Sequence, residues 1–147
     1  MSLQDEIEDR RAEIRTDGYA MSIGEWINIY GNEEIDIHPE FQRFFRWSPE
    51  QKTKLIESII LGIPIPPIFV SQRESGVWDV VDGVQRLSTI YEFAGIIRDE
   101  DGKQLSPLTL KGTRYLPSLE GKKWEDSNDL NQSFTQTQRL YIERSKI

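Results

Sequence analysis

Between residues 80 and 90 the chain runs from Val80-Val81 through Asp82-Gly83 into Val84-Gln85-Arg86-Leu87-Ser88-Thr89-Ile90. The β-branched pair favours a strand, and Asp-Gly favours a turn. The apolar positions Leu87, Ile90, Tyr91 and Ala94 then share one face of a helix that stops near Gly95. A strand that passes into a helix through so short a turn calls for an α+β architecture. It also has a chemical consequence. The first N–H groups of a helix have no internal partners and lie at the positive end of its dipole, so an anion is favoured there, phosphate above all. Arg86 adds a fixed positive charge able to grip phosphate with two parallel hydrogen bonds. Gly83 lets the backbone approach a ligand or take a left-handed turn. Asp82 can hold a metal ion, a sugar hydroxyl or the helix cap. Without further context the same residues also read as a plain structural turn, with Asp as cap, Gly as hinge and Arg in solvent.

The other elements follow from local signals. Ser48-Pro49-Glu50-Gln51 carries a capping Ser, a Pro at the first helical position and Gln at the third. Leu55, Ile56, Ile59 and Ile60 form the apolar stripe of that helix, which stops at Gly62; Pro64, Pro66 and Pro67 then keep the chain extended. Ser22 with Glu25 predicts a shorter helix that stops at Gly31, and residues 34–37 alternate as a strand. Residues 68–70 and 77–81 predict a hairpin across Arg73-Glu74-Ser75-Gly76, and a second hairpin is expected around residues 96–105. Leu3, Ile7 and Ile14 have helical spacing, but the face is thin and the charge heavy. Residues 1–20 therefore read as a peripheral helix or arm, and residues 21–147 as the folded domain. Near the end, residues 136–147 read as a helix turning into a strand, an approach to a further element, so the domain is expected to be truncated on its C-terminal side.

With 147 residues, 37% hydrophobic and 10% aromatic, the chain can build one core. It has no cysteine, which removes disulfides, thiolate metal sites and thiol catalysis and fits a cytoplasmic protein. One histidine, His38, is too few for a zinc site or a His-based nuclease, and it reads as the end of a strand before Pro39. No apolar run is long enough to span a bilayer, so no membrane partner is expected. A net charge of -7 argues against a general grip on nucleic acid, which depends on clustered Lys and Arg. The acid is concentrated in residues 5–9, 33–36, 99–101 and 120–129, which leaves room for a local cationic pocket around Arg43, Arg46 and Arg86, suited to a small anion.

Asp82-Gly83-Val84-Gln85-Arg86 resembles the Asp-Gly-Gln-Gln-Arg signature of the GmrSD-type restriction family, with Val84 in place of the first Gln. Residues 37–47, with Phe41-Gln42-Arg43-Phe44-Phe45-Arg46-Trp47, resemble that family's first motif, and residues 55–68 the segment between the two. The likeness covers the middle half of the chain in the family's order. It implies a ParB/sulfiredoxin-like fold, a small mixed sheet with flanking helices. It also implies a regulatory domain that binds and hydrolyses a nucleoside triphosphate within a restriction or phage-defence protein.

Carried over, Arg86 would neutralise phosphate oxygens, Gln85 would orient a phosphate or the attacking water, and Asp82 would hold Mg²⁺ or the turn. Gln42, Arg43 and Arg46 would line the nucleotide pocket with Gly83. Phe44 or Phe45 and Trp47 are expected in the core. No Walker-type loop is present, which excludes an ordinary P-loop enzyme. The nuclease is expected in a downstream domain or subunit. The alternatives are a nucleotide-gated clamp without turnover, and a sensor in which Gln42 and Arg43 read modified DNA.

Overall fold

A computed structural model describes residues 2–15, 21–37, 47–99 and 101–147. The elements in chain order are α1 (Leu3–Glu13), β1 (Ile14–Arg15), α2 (Ile23–Gly31), β2 (Ile35–Asp36) and α3 (Pro49–Leu61). They continue with β3 (Phe69–Gln72), β4 (Trp78–Asp82), α4 (Val84–Ala94) and α5 (Gln136–Arg144), with single 3₁₀ turns at Pro117–Leu119 and Leu130–Gln132. The fold is mixed α+β, as expected from the strand–turn–helix junction.

The sheet has four strands in the order β1-β3-β4-β2. β3 and β4 form the expected antiparallel hairpin, and the turn between them closes through Arg73 N–H donating to the Val77 carbonyl at 2.8 Å. β2 runs parallel to β4, with Ile35 opposite Trp78 and Asp36 opposite Asp79. A parallel pair needs a long crossover, and the stretch containing α3 and β3 supplies it.

The strand at residues 14–15 was not expected: it had read as the end of the first helix. It pairs antiparallel with β3, Ile14 opposite Ser71 and Arg15 opposite Val70, and covers the hairpin's outer edge.

Local chemistry sets the helix ends. Ser22 with Glu25, Ser48 with Gln51, and Thr135 with Gln138 each form a complete capping box. Gly62 and Gly95 end α3 and α4 in the left-handed conformation, at φ 74° and 78°. Gly31 does not stop α2. It is the last helical residue, and the left-handed position falls on Glu33 at φ 59°. There Glu34 N–H donates to the Ile29 carbonyl at 2.8 Å and Glu33 N–H to the Tyr30 carbonyl at 3.1 Å, the backbone pattern that normally selects glycine.

The core lies between one sheet face and α2, α3 and α4. Ile56, Leu87, Ile90, Tyr91, Ile97 and Leu110 are its most deeply buried large residues. Tyr30 and Tyr91 stack at 4.2 Å between centroids, and Tyr91 O–H donates to the Trp26 carbonyl at 2.9 Å. Burial drives the Tyr91 phenol well above its ordinary pKa. Trp26 and Trp78 meet edge to face at 6.3 Å, which places them in packing rather than on a ligand platform. Trp47 is half-buried against the same core.

The expected second hairpin is reduced to one bridge, Arg98 with Gln104, around a turn held by Asp99 N–H to the Lys103 carbonyl at 2.8 Å. Residues 105–135 have little regular structure, yet Leu108, Leu110, Leu119 and Phe134 are buried. Trp124 docks on Phe93 with centroids 5.2 Å apart. The chain then returns along α5 to a bridge between Ser22 and Lys146.

Candidate functional site

β4 ends at Asp82 and α4 begins at Val84, so the expected junction forms with Gly83 alone between them. Gly83 is itself the N-cap, at φ 102°, ψ 15°. The sequence allowed Asp82 as the cap; the structure corrects this, since among the described residues no side chain caps the first turn of α4. The Asp82 side chain is 66% exposed.

Gly83 is required by shape as well as by φ. A Cβ placed there would lie 2.7 Å from Ile68 Cδ1 and 3.2 Å from Arg86 Nη2. The helix turn is therefore laid directly against the proline-rich lead-in to β3.

Arg86 points back across this junction. Its Nη2 donates to the Pro67 carbonyl at 3.0 Å and lies 3.8 Å from Asp82 Oδ2, and the side chain is only 18% exposed. Its Nε is buried and has no hydrogen-bond partner among the described residues. A buried guanidinium N–H left unpaired is costly, and a planar fork with unused donors is suited to a bidentate oxyanion. Gln85 is half-buried on the same turn, and its backbone carbonyl accepts from Thr89 Oγ1 at 2.8 Å. Val84, which stands where the resembling family has Gln, packs against the core.

Asp82, Gly83, Gln85 and Arg86 are thus brought together as the sequence predicted. Gln42, Arg43 and Arg46 lie outside the described residues, as do His38, Phe41, Phe44 and Phe45. Among the described residues no three His, Cys, Asp or Glu side chains converge in a way that would hold a metal ion. Asp82 is an exposed carboxylate beside the junction, 3.8 Å from Arg86 Nη2. That arrangement fits Mg²⁺ only as an ion carried in largely by phosphate oxygens and water, the manner in which Mg²⁺ commonly binds.

Two side-chain clusters elsewhere on the domain were not visible in the sequence. Lys52 Nζ meets Glu92 Oε2 at 2.7 Å and ties α3 to α4. On the outer sheet face Arg73 bridges Asp36 at 2.8 Å and Asp79 at 2.5 Å, which joins β2 to the hairpin and raises the Arg73 pKa through its bonds to Asp79 and Asp36. Each joins residues more than five positions apart, at spacings no local pattern marks. Glu57 of α3 was also missed. It is buried, and its Oε2 has no hydrogen-bond partner.

The domain is thus an α+β domain with a strand–glycine–helix junction and a part-buried arginine on its first helical turn. Residues 25–146 match the family described as GmrSD restriction endonuclease, N-terminal domain. The match covers most of the chain, and the protein belongs to this family. Its setting is therefore DNA restriction and phage defence. No curated protein and no solved structure matches the chain. Among the described residues no helix is long and apolar enough to cross a membrane.

Proposed function

We propose that the β4–α4 junction binds the phosphates of a nucleoside triphosphate, in a ParB/sulfiredoxin-like frame, and that this binding regulates DNA restriction carried out by an associated nuclease domain or subunit. The observation that carries the reading is the combination at one turn: an N-terminus that no described side chain caps, and Arg86 with a buried Nε that has no partner among the described residues. The other long helices of the domain body cap themselves with side chains. α4 leaves its first N–H groups to an outside acceptor.

In the hydrolytic version, the first-turn N–H groups and Arg86 bear the charge that develops on the phosphate oxygens, and Gln85 orients the attacking water. Positioning and charge stabilisation are the main protein contributions that phosphoryl transfer needs. Mg²⁺, where present, would be held by Asp82 and the phosphates and would supply further charge neutralisation.

The position of Val84 favours a second reading. An apolar side chain packed against the core offers no hydrogen bond to nucleotide or water, which suits a clamp that binds without turnover. Calorimetry with each of the four ribonucleoside triphosphates, followed by phosphate-release assays, tests both. Binding that is lost in Arg86→Ala supports the junction, and binding without phosphate release selects the clamp. Unchanged affinity in Arg86→Ala removes the assignment.

A further inference from the structure

Pro64, Pro66 and Pro67 have no backbone N–H to donate. Ile63, Pro64, Pro66 and Pro67 are exposed, while Ile65 and Ile68 pack partly against the core. Ile63 N–H is tied back to α3 through the Ser58 carbonyl at 2.8 Å, and the ladder of β3 begins only at Phe69. Between those two points, among the described residues, one hydrogen bond holds residues 64–67: Arg86 Nη2 donating to the Pro67 carbonyl at 3.0 Å. The segment therefore depends on a single polar side chain of α4. At its end Ile68 lies so close over the helix start that its Cδ1 would meet a Cβ on Gly83 at 2.7 Å.

The same guanidinium is the charge offered to an anion at the junction. Nη2 shares an edge with Nε, the buried nitrogen that has no hydrogen-bond partner among the described residues. A phosphate gripped by two parallel hydrogen bonds along that edge needs both nitrogens. Nη2 is already committed to the Pro67 carbonyl and lies 3.8 Å from Asp82 Oδ2. Carbonyl and carboxylate oxygens repel a phosphate oxygen, and a charged acceptor bonds a guanidinium more strongly than a neutral carbonyl does.

We propose that Arg86 is a latch. In the empty domain it straps the proline-rich segment to α4, and a phosphate taken up at the junction draws the guanidinium off Pro67 and frees residues 64–67. The latch rests on the nucleotide reading above and gives occupancy of the junction a structural output. Ile63, Pro64 and Ile65 wall a hollow of about 420 Å³ against Tyr141 and Ile147, so a loosened segment changes the shape of that hollow. Latch and phosphate compete for one group, and coupling of this kind is reciprocal: whatever loosens the segment tightens the anion.

Isoleucine-methyl NMR of the full chain, with inorganic triphosphate and then each ribonucleoside triphosphate as probe, tests this. The methyl order parameters of Ile63, Ile65 and Ile68 are expected to fall on saturation, and to be low without any ligand in Arg86→Ala, whose circular-dichroism spectrum is unchanged. Pro66→Ala leaves the junction whole and gives the released segment more freedom. It is expected to bind the triphosphate about two- to fivefold more tightly, the factor that one proline's restriction corresponds to. Binding that leaves the three methyl groups as ordered as before would overturn the latch and leave the phosphate site standing. So would an affinity unchanged or reduced in Pro66→Ala, because the segment would then not compete with the phosphate. No binding at millimolar triphosphate, with or without Mg²⁺, would remove the site and the latch together.

Discussion

Replacing Gly83 by alanine isolates the junction. The residue sits at φ 102°, where an L side chain is strained by about 1–3 kcal/mol. Alanine recovers about 0.4–1 kcal/mol of this by restricting the unfolded chain. The added Cβ would lie 2.7 Å from Ile68 Cδ1, the far end of a flexible side chain, so Ile68 must leave its rotamer at a cost of about 0.5–1.5 kcal/mol. The expected loss is about 1–3 kcal/mol, which a domain with about 5–15 kcal/mol of stability survives. Gly62→Ala is the control: it has a similar left-handed φ of 74°, but nothing lies within 4 Å of its Cβ. It should cost less by about 1 kcal/mol, the rotamer cost alone. Urea unfolding followed by circular dichroism measures both. The same Cβ would stand 3.2 Å from Arg86 Nη2, so on the proposed function Gly83→Ala should also weaken triphosphate binding at least about tenfold, or about 1.4 kcal/mol, while Gly62→Ala leaves it unchanged. Equal stability losses in the two variants, together with equal affinities, would refute the claim that Gly83 is kept for close approach at a ligand site.

Other consequences follow from the same geometry. Tyr91 is fully buried and burial raises its pKa, so the folded state keeps a proton that the unfolded chain releases near pH 10. Stability from this group is complete below that pH and falls above it, with a slope approaching about 1.4 kcal/mol per pH unit. Urea midpoints measured through the alkaline range check this, and a flat profile would contradict it. Thr53 is fully buried and its Oγ1 accepts from Lys111 N–H at 3.0 Å, so Thr53→Val should destabilise by about 1–3 kcal/mol and Thr53→Ser by less. Chemical denaturation of the pair reads the difference. Glu33 holds the left-handed position after α2 at φ 59°; Glu33→Gly relieves about 1–2 kcal/mol of strain against about 0.4–1 kcal/mol of added unfolded-state freedom, so a small rise in melting temperature is expected.

What the sequence revealed was what short-range chemistry determines. Ser48, Pro49 and Gln51 sit within one helical turn, and Gly62 and Gly95 act where they stand, so both ends of α3 and the end of α4 could be read directly. The junction from Asp82 to Arg86 was legible for the same reason: strand, glycine and helix follow one another without a gap. The failures have a common cause in partners remote along the chain. β1 exists because Ile14 and Arg15 meet Ser71 and Val70 across the sheet, and nothing around residue 14 announces that pairing. One contact of Arg86 was likewise not legible. Its link to the Pro67 carbonyl, nineteen residues away, depends on how the proline segment crosses the helix start. Asp82, for which the cap was one of three possible roles, is the last residue of β4, and Gly83 takes the N-cap position.

The central claim, that the first turn of α4 receives the phosphates of a nucleotide, is tested most directly by amide NMR during titration with a non-hydrolysable nucleoside triphosphate. The account predicts that the backbone N–H signals of Val84, Gln85 and Arg86 and the Arg86 Nε–H signal shift most, saturably, while Gly62 and its neighbours stay still. Saturable binding with those signals unmoved, or no shift anywhere at millimolar nucleotide, would contradict it.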